Sequence, residues 1–128
     1  MEDAVATILV VDDERSIADV TASMLRMRGY TVYTAESRQE ILDILMEHAL
    51  ELLITDVVMP QIGGVEVARL CQAMKPGLRC LFMSGYQTQL VNKKQELLGG
   101  VHFIQKPFRL ADLWLAVDKV LESEPVQF

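Results

Sequence analysis

Five polar residues of this sequence stand where apolar runs end. Asp12 and Asp13 follow the apolar part of "ILVVDDE" (8–14), and Asp56 closes "LLITD" (52–56). Ser84 closes "CLFMS" (80–84), and Lys106 closes "VHFIQK" (101–106). If the fold gathers them, three carboxylates, a hydroxyl and an ammonium share one place. Two carboxylates about 4 Å apart repel by roughly 4 kcal/mol at an effective dielectric near 20. One lysine cannot neutralise three acids. A hard divalent cation can, and magnesium typically binds through a few carboxylates while keeping several waters. Zinc would want His or Cys ligands, and His48 and His102 lie away from these run ends, where they read as solvated surface residues. A divalent cation, an ammonium and a hydroxyl are the parts of a phosphoryl site: the cations balance the equatorial oxygens and the hydroxyl donates a hydrogen bond.

Each residue alone has a plainer explanation. An Asp after a strand is often a helix N-cap, a Ser before Gly85 is ordinary turn chemistry, and a Lys before a Pro is often a solvated strand end. Five independent accidents at one edge are harder to accept than a site. The chain has no G-x-x-x-x-G-K-[ST] loop and no G-x-G-x-x-G after the first apolar run, so a nucleotide is a poor ligand. That leaves a phosphoryl group carried by the protein itself, with a carboxylate as nucleophile.

The elements that must position these groups alternate along the chain. Strand-like runs are "TILVVD" (7–12), "TVYTA" (31–35), "LLITD", "CLFMS" and "VHFIQK". Helical spacing fills the intervals. In the first, Ile17, Val20 and Met24 share a face, and Gly29 is placed to end the helix. The second opens with Ser37 and Glu40 in capping-box spacing and continues with Ile41, Ile44 and Leu45. The third carries Val67, Leu70, Cys71 and Met74 and stops at "PG" (76–77). The fourth, about 88–98, is weak, and the fifth, about 109–122, carries Leu110, Leu113, Val117, Val120 and Leu121.

Strands alternating with helices predict an α/β fold, a doubly wound five-stranded parallel sheet covered on both faces. "ILVV", "LLI" and "CLFM" are continuously apolar, as central strands must be. "TVYTA" alternates and "VHFIQK" contains His102 and Gln105, so both read as edges. Right-handed crossovers with the order 2-1-3-4-5 satisfy this ranking, and another order with the same edges would also fit. In such a sheet ligands bind beyond the carboxyl ends of the strands, which is where the five polar residues fall.

Composition sets the outer bounds. The chain has 128 residues, enough for one domain with one core; 51% are hydrophobic and 23% charged, a globular balance. No apolar run approaches a membrane span, and "MEDAVA" lacks the basic and apolar parts of a signal peptide, so a cytoplasmic place with no membrane contact is expected. The net charge of −6 argues against binding nucleic acid through this domain. Cys71 and Cys80 have no C-x-x-C spacing and read as reduced core thiols.

Taken together, "ILVVDDE", "LLITDVVMP", "FMSGY" and "FIQKPF", in this order and at these strand ends, resemble the receiver domain of two-component signalling. The resemblance covers about residues 7–122 of a single receiver domain spanning 1–128, with a flavodoxin-like (βα)5 fold. It implies that Asp56 accepts a phosphoryl group from the phosphohistidine of a histidine kinase or phosphotransfer domain. It implies that Asp13 and Asp56 bind magnesium directly, Asp12 largely through water, and the Val58 backbone carbonyl as a further ligand. Lys106 would contact the phosphoryl group, Ser84 would move to hydrogen-bond it, and Lys106–Pro107 would be a cis peptide.

At the switch position, where many relatives have Tyr or Phe, this chain has Phe103, so a signal would come from packing without a hydroxyl. The responding face would be the fourth helix, fifth strand and fifth helix, a surface for an output domain or a homodimer. Val58 and Tyr86 flank the site and would slow water. Trp114 reads first as helix-flank packing and second as a partner anchor. "FMSGY" and "FIQKPF" are similar to receivers at the end of hybrid histidine kinases, and "SEPVQF" (123–128) holds no output domain, so both a stand-alone receiver and a piece of a larger protein fit. No separate enzymatic activity is expected. The rivals are a phosphorylation-independent pseudo-receiver and an aspartyl-phosphate phosphatase. The latter's D-x-D-x-T or D-x-D-x-V pattern is not met by "DDERS".

Overall fold

A computed structural model describes residues 5–85 and 101–128. The elements run β1 (Thr7–Val11), α1 (Arg15–Arg26), β2 (Thr31–Ala35), α2 (Arg38–Glu47), β3 (Leu52–Asp56), α3 (Gly64–Met74), β4 (Arg79–Ser84), β5 (His102–Gln105) and α4 (Leu110–Leu121). α4 is the fifth predicted helix; the fourth, 88–98, lies outside the described residues, as does Tyr86. The five strands form a parallel sheet in the order β2-β1-β3-β4-β5. The two strands with mixed patterns are its edges, as expected.

The continuous apolar strands follow from cover on both faces. Leu9, Val11, Leu53, Cys80 and Phe82 pack toward α2 and α3. Their neighbours Ile8, Val10, Ile54, Leu81 and Met83 pack toward α1 and α4. A period of two in the strands thus divides one apolar run between two cores. Both cysteines are buried and reduced.

Local signals explain the helix ends. Ser37 Oγ accepts from Glu40 N at 3.2 Å, and the Glu40 carboxylate accepts in return from Glu36 N at 2.9 Å. A cap of this kind is worth about 1 kcal/mol. Gly29, at φ 93°, takes the left-handed conformation after α1 and donates its N–H to Arg26 O.

Two sequence expectations need correction. The face of α1 that meets the sheet is Ala18, Thr21, Ala22 and Leu25. Ile17 and Met24 are only half-buried, and Val20 is 55% exposed. Alanines let the helix approach the sheet closely, and the larger residues are turned to its flank. Neither histidine is freely solvated: His48 stacks on Tyr33 with ring centroids 4.0 Å apart. His102 is half-buried, and burial, then repulsion from Lys119, lowers its pKa.

Trp114 is helix-flank packing. Its Nε1 donates to Met24 O at 2.9 Å, and the Arg28 guanidinium lies 5.3 Å from the ring centroid. Arg28 also pairs with Asp118 at 3.0 Å, so the end of α1 and the turn after it are tied to α4. Among the described residues, no helix is long and apolar enough to cross a membrane.

Candidate functional site

Strand register assembles the site. Val11 pairs with Thr55, so the next residues, Asp12 and Asp56, stand side by side at the carboxyl edge of the sheet. Ser84 pairs with Gln105, and Lys106 N donates to Ser84 O at 2.6 Å, bringing the fifth strand's lysine to the same edge. Asp12, Asp13 and Asp56 each present a carboxylate oxygen within 4.8 Å of the others. Asp12 is fully buried and Asp56 is 8% exposed, whereas Asp13 is open to solvent.

Lys106 Nζ lies 2.9 Å from Asp56 Oδ2 and 3.3 Å from Asp12 Oδ2. The other oxygen of each acid is held by the backbone: Asp12 Oδ1 accepts from Glu14 N at 2.9 Å, and Asp56 Oδ1 accepts from Val58 N at 3.3 Å. Burial raises the Asp12 pKa despite the Glu14 N–H and the Lys106 charge. Burial alone would lower that of Lys106; the hydrogen bond to Asp56 and the charges of both acids outweigh it, so the ammonium is retained.

These groups are short of positive charge. Three carboxylates against one ammonium leave two negative charges. At separations within 4.8 Å, each carboxylate pair repels by at least about 3.5 kcal/mol at an effective dielectric near 20. An all-oxygen donor set with a deficit of two charges fits a hard divalent cation.

The other expected residues take separate places. Ser84, 5% exposed, and the exposed Val58 line the same cavity as Asp56 and Lys106. Lys106–Pro107 is cis, and Pro107 stands at the cavity rim. Phe103 is not in the cavity. It is half-buried on the sheet face toward α3, its ring 5.6 Å from that of Phe82.

Two features escaped the sequence reading. Gly64 opens α3 and donates its N–H to Val57 O at 2.9 Å; a Cβ there would collide with Asp56 O and lie 2.9 Å from Val57 Cα. The helix therefore approaches the strand that carries Asp56 more closely than any side chain allows, and the pair "GG" (63–64) was the available signal. The second is an apolar wall beside the acids. The cavity, about 740 Å³, extends from Asp56 along Ile17, Val20 and Met24 to Phe108.

Residues 8–118 match the family model for the response regulator receiver domain. The chain belongs to that family. This receiver is 32% identical over 121 residues to the sensor kinase CckA of Brucella abortus, an alignment covering 93% of this chain and 13% of the kinase. It is 29% identical over 114 residues to the response regulator receiver protein CpdR of the same organism, covering 89% of this chain and 95% of CpdR. A CheY-like receiver domain protein from Methanospirillum hungatei superposes with a TM-score of 0.78 at 26% identity, covering 93% of this chain and 95% of that one. The receiver thus spans nearly all of one relative and a small part of another. It is a signalling domain of two-component response regulators.

Proposed function

We propose that this receiver is a magnesium-dependent phosphoacceptor switch in which Asp56 takes a phosphoryl group from the phosphohistidine of a histidine kinase or phosphotransfer domain. The observation that carries this reading is the contact of Asp56 Oδ2 with Lys106 Nζ at 2.9 Å, inside a cluster of three acids at the carboxyl edge of the sheet.

A carboxylate oxygen of Asp56 forms the bond to phosphorus while the phosphorus–nitrogen bond to the partner's imidazole breaks. The imidazole keeps that electron pair and takes up a proton, and an acyl phosphate remains on Asp56. The Lys106 ammonium, already placed by Asp12 and Asp56, meets the charge of the transferred group. The Ser84 hydroxyl turns to donate a hydrogen bond to it. Magnesium, when bound, supplies further positive charge to the phosphoryl oxygens; Asp13, Asp56 and the Val58 carbonyl would hold it, with Asp12 acting through water. Phe103 then repacks and alters the face that includes β5 and α4, a local charge event biasing a two-state element.

A protein donor must reach a nearly buried carboxylate. Ile17, Val20 and Met24, spaced along one flank of α1 and continuous with the cavity over Asp56, give it an apolar seat. Such a protein works in the cytoplasm, beside its kinase. The output passes to a further domain or a second copy.

The test is phosphoryl transfer from a small donor. With magnesium and acetyl phosphate, intact mass should show one phosphoryl adduct on the wild-type chain and none on Asp56→Asn. Equal incorporation by Asp56→Asn would remove the nucleophile assignment. Loss of the adduct on chelating magnesium is expected as well.

A further inference from the structure

The last six residues do not trail from α4. After Leu121 the chain passes the amino end of β4, where Arg79 Nε donates to Ser123 O at 2.7 Å. It then lies on the opposite sheet face, against the core beneath α3. Val126 and Phe128 are half-buried and Gln127 between them is exposed, the alternation of an extended segment on a surface.

Gln72 receives it. This α3 side chain is 2% exposed, and its carboxamide donates to Val126 O at 2.7 Å and accepts from Phe128 N at 2.9 Å. Those two bonds are what a neighbouring strand would offer to residues on either side of Gln127. The remaining N–H goes to Leu78 O at 3.0 Å, so every polar atom of the amide is used. A buried amide that reads backbone on one side is costly to leave without its partner.

The Phe128 ring meets Phe82 edge-on, centroids 5.3 Å apart and planes at 88°. Phe82 is 1% exposed, and among the described residues its other aromatic neighbour is Phe103. A small cavity between tail and sheet, bordered by Val101, Val126 and Phe128, holds about 10 Å³, room for one water at most.

We infer that Gln72 and Phe82 form a binding site for an extended apolar peptide whose occupant is this chain's own Val126–Phe128 segment, and that tail docking and the inward movement of Phe103 oppose one another through Phe82. The coupling rests on the proposed switch; the docking stands on the contacts alone. A close-packed ring touched from two sides cannot yield to one neighbour without shifting against the other. Phosphorylation therefore loosens the tail, and by linkage a docked tail disfavours the phosphorylated state.

Amide exchange of residue 128, followed by NMR on the full chain, tests both parts. In the unphosphorylated wild type this amide should exchange at least tenfold more slowly than in Gln72→Met, which keeps the shape and removes the amide. Phe128→Ala, which keeps this amide and removes the ring that meets Phe82, should lose the same protection. Wild-type exchange as fast as in both variants would overturn the docking. After an acyl phosphate is confirmed by intact mass, exchange should accelerate at least threefold; unchanged or slower exchange would overturn the coupling and leave the switch standing. Absence of any adduct would overturn the switch and the coupling together, with docking still decided by the first comparison.

Discussion

At Gly64, the site depends on an atom that is missing. The backbone of Asp56 and Val57 occupies the space a Cβ would need, with Val57 Cα 2.9 Å away. These neighbours are backbone atoms and cannot swing aside. Gly64→Ala should therefore cost about 2–3 kcal/mol, read as a lower urea midpoint. It should also slow modification by acetyl phosphate, because the displaced backbone carries Asp56. An unchanged midpoint would show that the approach tolerates a methyl group. The pair "GG" (63–64) marked a place without side chains, but not what it meets, because the contact joins two backbones that are distant along the chain. The polar residues themselves were legible for the opposite reason. Acids, a serine and a lysine at the ends of apolar runs break a pattern, and the break is visible in one dimension.

α1 shows where pattern misleads. Two sets of residues recur on it at helical spacing: Ala18, Ala22 and Leu25, and Ile17, Val20 and Met24. Hydropathy favours the second set, yet the first meets the sheet, because close packing of helix on strand favours small side chains. The larger set is left to the flank, where it lines the cavity over Asp56. On the proposed reading, its use depends on which donor is employed. Val20→Glu, at a residue 55% exposed, should leave modification by acetyl phosphate within about twofold of wild type. Transfer from a protein donor should fall by tenfold or more, since a charge would be buried in the contact. Equal losses with both donors would mean that the substitution disturbs the site itself. The tail was illegible for another reason: six residues have too short a period to count, and the groove that receives them is built from α3 and β4.

For the whole molecule, the core between the sheet and α2 and α3 carries a pH signature, since both cysteines lie in it. Burial pushes the thiols of Cys71 and Cys80 up to about 12, from an ordinary 9.0. Above pH 9 the unfolded chain loses these protons and the folded chain keeps them. The unfolded state then binds fewer protons, so stability falls as pH rises, between about 9 and 12. Each thiol contributes up to about 1.4 kcal/mol per pH unit in that window. Cys71→Ala with Cys80→Ala should give a shallower alkaline decline in urea-measured stability, whatever its starting value. Identical slopes would place the decline elsewhere, on tyrosines or lysines. The sheet order was readable because burial on two faces writes continuous apolar runs into the central strands and mixed runs into the edges.

The sheet also acts as a partition. Ile17, Val20 and Met24 flank it on the side of α1 and α4, whereas Phe103, Phe82 and Phe128 lie on the other side. In β5, Phe103 and Ile104 are adjacent in the chain and face opposite ways. On the proposed reading, a donor seated on one surface and a reporter moving on the other would be separated by a single layer of backbone, with only the strand ends in common. Arrival and report would then be free to overlap in time, with the next partner recruited before the first has left.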